Sequence, residues 1–193
     1  MRHLKYSILA LAVIFATACK ESKKEAQETV EAEVEKTVKE TPTKKELKMT
    51  LDPKSGSNAT GTITFVEENG VVSMTAYLSG LDKGEHAIHI HESADCSSPD
   101  GKSTGGHWNP TAQPHGKWGS ETGYHKGDIG NFTVGEDGKG EVKFSTSEWC
   151  LGCEDDTKNI IGKAIIVHQG TDDFTSQPSG AAGSRISCGA IIE

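Results

Sequence analysis

Eight histidines occur in this 193-residue chain, and seven of them fall between His86 and His168. His89 and His91 are separated by one residue in the run Ala87-Ile88-His89-Ile90-His91. On a β-strand such residues share a face, with their bases about 7 Å apart. Two imidazoles can then converge on one ion while Ile88 and Ile90 point the other way, into a core. His168 closes a second apolar run, Ala164-Ile165-Ile166-Val167. Between the two runs, His107, His115, His125 and Asp128 follow at spacings of 8, 10 and 3 residues. Three neutral imidazoles and a carboxylate suit tetrahedral zinc, and an all-nitrogen group suits copper. A lone histidine is more often a surface or hydrogen-bonded residue than a ligand. Seven gathered in two apolar runs and a Gly-rich stretch reverse that expectation.

The elements that must position these residues read as strands. Gly61-Thr62-Ile63-Thr64-Phe65-Val66 alternates polar and apolar residues, and Val71 to Leu78 does so more loosely. Asn69-Gly70 between them is a strong hairpin signal, and Asp137-Gly138 marks a second turn. Further strands are expected at 46–51, 86–91, 130–134, 139–146, 162–168 and 186–192. No segment carries a sustained apolar stripe of helical period. Eight short strands with Gly-rich turns predict an all-β domain, an eight-stranded antiparallel barrel or sandwich. Residues 92–128 and 169–185 do not fit as strands. Loops of that length in a compact domain are usually functional or disordered, and the histidines in the first make it a loop ordered by ligands.

The ends of the chain differ in kind. Arg2, His3 and Lys5 precede a short apolar stretch, Ile8 to Ala16, too short to span a bilayer, which takes about 20 apolar residues. Residues 1–18 thus read as a cleavable export signal. Phe15-Ala16-Thr17-Ala18-Cys19 resembles a lipobox, with Ala16 where Leu is usual, so Cys19 is the expected site of a lipid that anchors the chain to a membrane. Residues 19–45, rich in Lys, Glu, Thr and Ala and without aromatic residues or Gly, read as a charged, solvated linker. Residues 46–193 then form one domain of ordinary size. Setting Cys19 aside leaves Cys96, Cys150, Cys153 and Cys188, an even set that can pair in an oxidising compartment. Cys150 and Cys153 are close enough to bridge each other, which leaves Cys96 for Cys188. The formal net charge of −8 becomes −10 when Arg2 and Lys5 leave with residues 1–18, a surface that repels nucleic acid.

Several motifs resemble, in the right order, those of the copper/zinc superoxide dismutases. Gly84-Glu85-His86-Ala87-Ile88-His89-Ile90-His91-Glu92 followed by Cys96 is similar to that family's copper-binding strand. Gly106-His107-Trp108-Asn109-Pro110, His115-Gly116 and His125-Lys126-Gly127-Asp128-Ile129-Gly130-Asn131 resemble its zinc loop. Gly162 to His168 resembles the strand of the last copper ligand, and Gly183-Ser184-Arg185-Ile186-Ser187-Cys188-Gly189 the segment of the active-site arginine and second disulfide cysteine.

The resemblance implies an eight-stranded Greek-key barrel. It implies copper on His89, His91, His107 and His168, and zinc on His107, His115, His125 and Asp128, with His107 bridging the two. Asp172 would link a copper histidine to a zinc histidine, and His86 would tie loops to the barrel. Arg185 would supply local positive charge for superoxide, a small anion, and His107 a proton. The implied activity is dismutation of superoxide to oxygen and hydrogen peroxide in the cell envelope, with a homodimer left open. The competing readings are a copper-binding or copper-delivery protein without turnover, a copper-only dismutase and a structural surface lipoprotein. Arg185 and the full bridging set count against the first, the four zinc ligands against the second, and the ligand spacing against the third. Trp149-Cys150-Leu151-Gly152-Cys153 departs from the family pattern. It reads as a short structural disulfide, with a redox-active pair or a metal-loading site as alternatives.

Overall fold

A computed structural model of the protein describes residues 44–193. The expected export signal, the lipid site at Cys19 and nearly all of the linker lie outside the described residues. Among those residues, no helix is long and apolar enough to cross a membrane.

Eight strands form: β1 Lys45–Pro53, β2 Thr60–Glu68, β3 Val71–Ser79, β4 Gly84–His91, β5 Gly130–Val134, β6 Gly140–Thr146, β7 Lys163–His168 and β8 Arg185–Ile191. They close into a barrel in the order β1-β2-β3-β6-β5-β4-β7-β8, and every ladder is antiparallel. Neighbours out of chain order at β3/β6 and β4/β7 give the Greek-key crossovers. Closure leaves no free sheet edge. At the β2–β3 turn Asn69 and Gly70 both have positive φ, 53° and 74°, as a type I′ hairpin requires.

The side chains that fill the barrel come from alternate positions. Ile63, Phe65, Met74, Ala76, Ile88, Ile90, Ile165 and Val167 are all buried in one cluster. Six consecutive residues of β4, His86 to His91, are buried, as are five of β7, Ala164 to His168. Strands buried on both faces need a second cover. Ile88, Ile90, Ile165 and Val167 face the barrel core. Ala164 and Ile166 pack with Cys188 in a separate cluster, on the face that also carries His168. His89 and His91 likewise lie opposite Ile88 and Ile90. This outer face is covered by the two long loops, 92–128 and 169–185.

Two devices hold the first loop down. Cys96 is disulfide-bonded to Cys188 of β8, 92 residues away. A Cβ on Gly127 would stand 2.2 Å from the Ile90 carbonyl oxygen, so only glycine lets the loop pair its backbone with β4. There the Ile90 amide donates to the Gly127 carbonyl at 2.9 Å and the Trp108 amide to the Ile90 carbonyl at 2.8 Å. In the chain-entropy account a closed loop of about 90 residues contributes about 4–5 kcal/mol. Replacing Cys96 and Cys188 by Ala is expected to lower the unfolding free energy of the metal-free chain by about 2–5 kcal/mol. Urea unfolding measures this, and an unchanged midpoint would contradict it.

Candidate metal centre

Four elements deliver the candidate ligands. β4 presents His89 and His91, and β7 presents His168. An isolated antiparallel bridge between His91 and His107 brings the first loop back beside the end of β4. The turn closed by the Asp128 amide on the His125 carbonyl, at 3.1 Å, sets His125 and Asp128 side by side. In this way the ligand atoms of His89, His91, His107 and His168 come within 4.8 Å of one another, and so do those of His107, His115, His125 and Asp128. His107 belongs to both groups. All seven residues are buried.

The hydrogen bonds fix which ring nitrogen of each histidine faces the common space. His89 Nε2 donates to Asp172 Oδ2 at 2.9 Å, and His91 Nδ1 donates to the Gly105 carbonyl at 3.0 Å. His168 Nδ1 faces the Gly183 carbonyl at 3.4 Å. A nitrogen that faces an acceptor carries the proton, so the other nitrogen keeps its lone pair. Those other nitrogens, His89 Nδ1, His91 Nε2 and His168 Nε2, are buried with no hydrogen-bond partner, as is His107 Nε2. In the second group His107 Nδ1 lies 2.9 Å from Asp128 Oδ1. His115 Nδ1 and His125 Nδ1 are 3.1 and 3.2 Å from the same carboxylate, yet without the angles of a hydrogen bond, and both are orphaned. Buried polar atoms are nearly always paired. Six orphaned imidazole nitrogens in two convergent groups are what a metal ion in each group would satisfy. The four-imidazole group fits copper, and the three imidazoles with a carboxylate fit zinc.

Asp172 joins the groups. Its Oδ1 accepts from His115 Nε2 and its Oδ2 from His89 Nε2, both at 2.9 Å. Asn131 exchanges two hydrogen bonds with the Asp172 backbone, each 2.8 Å. A Cβ at Gly180, where φ is +67°, would lie 1.8 Å from Asp172 Oδ1, so the second loop closes over the carboxylate only through glycine. His86 turns its Nδ1 to the His168 carbonyl and its Nε2 to the Asp82 carbonyl, each at 2.9 Å, linking β7 to the start of β4. Arg185, at the head of β8 and paired in register with His168, is half-buried. Its guanidinium donates to the Gly101 carbonyl at 2.9 Å and Thr104 Oγ1 at 3.1 Å.

Charge follows burial and partners. Burial pushes the His91 and His168 imidazoles well below their ordinary range, and the neighbouring imidazoles and Arg185 add to this. Burial likewise brings His107 down to about 4, against the pull of Asp128. These rings are neutral at physiological pH, the form that binds metal. Burial alone would raise Asp128 and Asp172, but the hydrogen bonds from their histidines outweigh it and hold both carboxyls well below the usual carboxylate range. His115 is the exception. Burial works against its charged form, yet Asp128 and Asp172 push it up to about 9.

Two adjoining ligand groups that share one histidine, on the outer face of a closed Greek-key barrel, define a two-metal centre of copper and zinc type. Residues 59–191 match the family model described as copper/zinc superoxide dismutase (SODC), and the chain belongs to that family. It is similar to a SOD-like protein from Bacillus subtilis, at 33% identity over 75% of this chain and 97% of that one, with a TM-score of 0.67. A double mutant of the same protein, with a tyrosine and a proline each replaced by histidine, matches at 34% identity over 76% of this chain and 97% of that one, with a TM-score of 0.66.

His86, His89, His91, His107, His115, His125, Asp128, His168, Asp172 and Arg185 all lie in or against this centre, whereas Cys150 and Cys153 form a disulfide with each other in a separate turn. Nothing in the sequence pointed to Gln177, whose amide pairs with both backbone groups of His115 at 2.9 Å. A glutamine in a polar loop has no spacing signature. Thr104, buried beneath Arg185, was equally silent, as was the 3₁₀ turn Lys102–Thr104 that contains it. Trp108 and Trp118 pack in and against the apolar core.

The His115 shift sets a pH dependence. Its folded-state pKa of about 9 lies above the ordinary 6.5. The metal-free protein therefore holds a proton there that stabilises it below pH 6.5, and this contribution is lost as pH rises toward 9. A zinc ion held by His115 would have to displace that proton. Zinc affinity of the metal-free chain is expected to rise about tenfold per pH unit from pH 7 to 9 and then level off. Chelator competition across that range measures it, and a flat profile would contradict it.

Proposed function

We propose that the chain is a turnover enzyme that dismutes superoxide to oxygen and hydrogen peroxide. His89, His91, His107 and His168 would hold copper, and His107, His115, His125 and Asp128 would hold zinc. The observation that carries this reading is the arginine fixed beside a four-imidazole group. A protein that only stores or delivers copper has no need of Arg185, nor of a histidine shared with a second group.

Copper held by His89, His91, His107 and His168 would supply the transfer of an electron between two superoxide ions, whereas zinc would supply no redox chemistry. The rest falls to the chain's own residues. Arg185, tied to Gly101 and Thr104, presents fixed positive charge where the substrate is an anion and the protein as a whole is acidic. A local field of this kind raises on-rates even against an unfavourable net charge. His107 Nε2, buried without a hydrogen-bond partner, could hold a proton and pass it to the departing peroxide. The second proton comes from solvent. Asp172 keeps the His89 and His115 rings turned toward their groups, as outer carboxylates do for ligand histidines. The loops bury the ligands and leave Arg185 half-exposed as the approach.

Two disulfides fit an oxidising compartment. We read residues 1–18 as an export signal, Cys19 as a lipid anchor, 19–45 as a linker and 46–193 as the enzyme domain, acting on superoxide in the cell envelope.

Replacing His168 with Ala is expected to remove copper and activity while circular dichroism stays that of the folded barrel. Full activity would overturn the ligand assignment. Arg185→Ala is expected to retain both metals but react roughly tenfold more slowly, with a weaker dependence on ionic strength. An unchanged rate and salt slope would show that Arg185 does not guide the substrate.

A further inference from the structure

His125 is unlike the other histidines of the two groups. His89 and His115 are held from behind by Asp172, and His91 and His168 face backbone carbonyls. His107 turns both ring nitrogens to the groups it shares. The second nitrogen of His125, Nε2, makes no hydrogen bond to any described residue of the protein. Ligand histidines are almost always oriented through their second nitrogen, and at His125 that nitrogen has no partner among the described residues, so the chain on either side of the ring matters more to its aim.

Its two neighbours in the chain are gripped instead. The Tyr124 hydroxyl donates to Glu148 Oε1 at 2.7 Å, and Lys126 Nζ pairs with Glu148 Oε2. Trp149 Nε1 donates to the Lys126 carbonyl at 2.8 Å. Glu148 and Trp149 thus hold the residues on either side of His125 through three contacts. Trp149 is itself buried, packed at a tilt on Phe144 with ring centroids 4.9 Å apart and edge-on to Trp118 at 5.8 Å. Trp118 in turn packs on Tyr124 at 4.9 Å.

The next residue is Cys150, disulfide-bonded to Cys153. Cys150 also exchanges backbone hydrogen bonds with Lys158 and Ile160, at 2.8 and 3.1 Å. The Leu151 amide donates to Glu67 Oε2 at 3.0 Å, which ties the turn to β2. The short disulfide therefore sits at the root of the two residues that clasp His125 and contributes no ligand to either metal group.

We infer that Glu148 and Trp149, braced by the Cys150–Cys153 disulfide, are positioning residues that aim His125 at the zinc group in place of a direct hydrogen bond to its ring. The inference rests on the zinc reading of His107, His115, His125 and Asp128. It gives the Trp-Cys-x-x-Cys segment a structural task in metal retention rather than a redox or metal-loading one.

The test uses the full chain loaded with copper and zinc, and follows release of each metal to a chelator. The variants are Trp149→Phe, which keeps an aromatic ring but removes the donor, Glu148→Gln, and the double change Cys150→Ser with Cys153→Ser. Tyr124→Phe removes a single contact and is the mildest, should the others fold poorly. Zinc is expected to leave the Trp149 and Glu148 variants about tenfold faster than the wild type, with copper release changed by less than about twofold, in line with the usual cost of losing an outer partner. The double cysteine variant and Tyr124→Phe should show smaller accelerations of zinc alone. Cobalt bound in place of zinc should give an altered visible spectrum in the same variants. Unchanged zinc release, or equal acceleration of both metals, would overturn the inference. A wild-type chain that retains no zinc, or a His125→Ala variant that retains it fully, would instead overturn the zinc reading on which it rests.

Discussion

Six imidazole nitrogens are buried in this protein in two convergent groups with no hydrogen-bond partner. A buried polar atom left unpaired costs about 1–3 kcal/mol, so the metal-free site works against folding. Burial deepens the tension at His91, His107 and His168 by keeping their rings neutral, which leaves those lone pairs free. Metal ions convert the same arrangement into the strongest contacts in the domain. The outer nitrogens of His89, His91, His115 and His168 are already committed to Asp172 and to backbone carbonyls, so these rings cannot turn away to find other partners.

The barrel makes that arrangement affordable in space as well as energy. β4 and β7 are hydrogen-bonded neighbours with both faces buried. Their inner residues, Ile88, Ile90, Ile165 and Val167, belong to the apolar core, while alternate positions hold His89, His91 and His168 on the outside. The loops then serve as the second layer of cover. They are irregular, yet they are pinned by the Cys96–Cys188 disulfide, by glycines that allow close backbone approach at 127 and 180, and by the carboxylates of Asp128 and Asp172. The same pinning carries Gly101 and Thr104 to Arg185, so the positive charge beside the site is fixed rather than free to swing.

Much of this was legible in the sequence because it rests on period and spacing. The eight strands fall within a few residues of their expected places, since alternation and the Asn69-Gly70 and Asp137-Gly138 turns are local signals. His89 and His91 could be put on one face by the pleat alone. The grouping of His107 with both sets came through family resemblance, because the fold of a 37-residue loop is not written in its composition. Contacts across the chain left no trace at all. Gln177 reaches His115 over 62 residues, and Glu148 reaches Tyr124 over 24. Each depends on where two loops meet, which only tertiary packing decides. The Trp149-to-Cys153 segment stood out as foreign to the family pattern, yet its neighbours could be learned only from the folded structure.

The central claim is that the four-imidazole group and Arg185 together perform catalysis rather than storage. The most direct measurement is superoxide decay after pulse radiolysis, comparing the chain loaded with copper and zinc with the same chain loaded with zinc alone. The account predicts a copper-dependent rate constant approaching the diffusional ceiling of about 10⁸–10⁹ M⁻¹s⁻¹. A chain that binds both metals and leaves the decay of superoxide unchanged would contradict it.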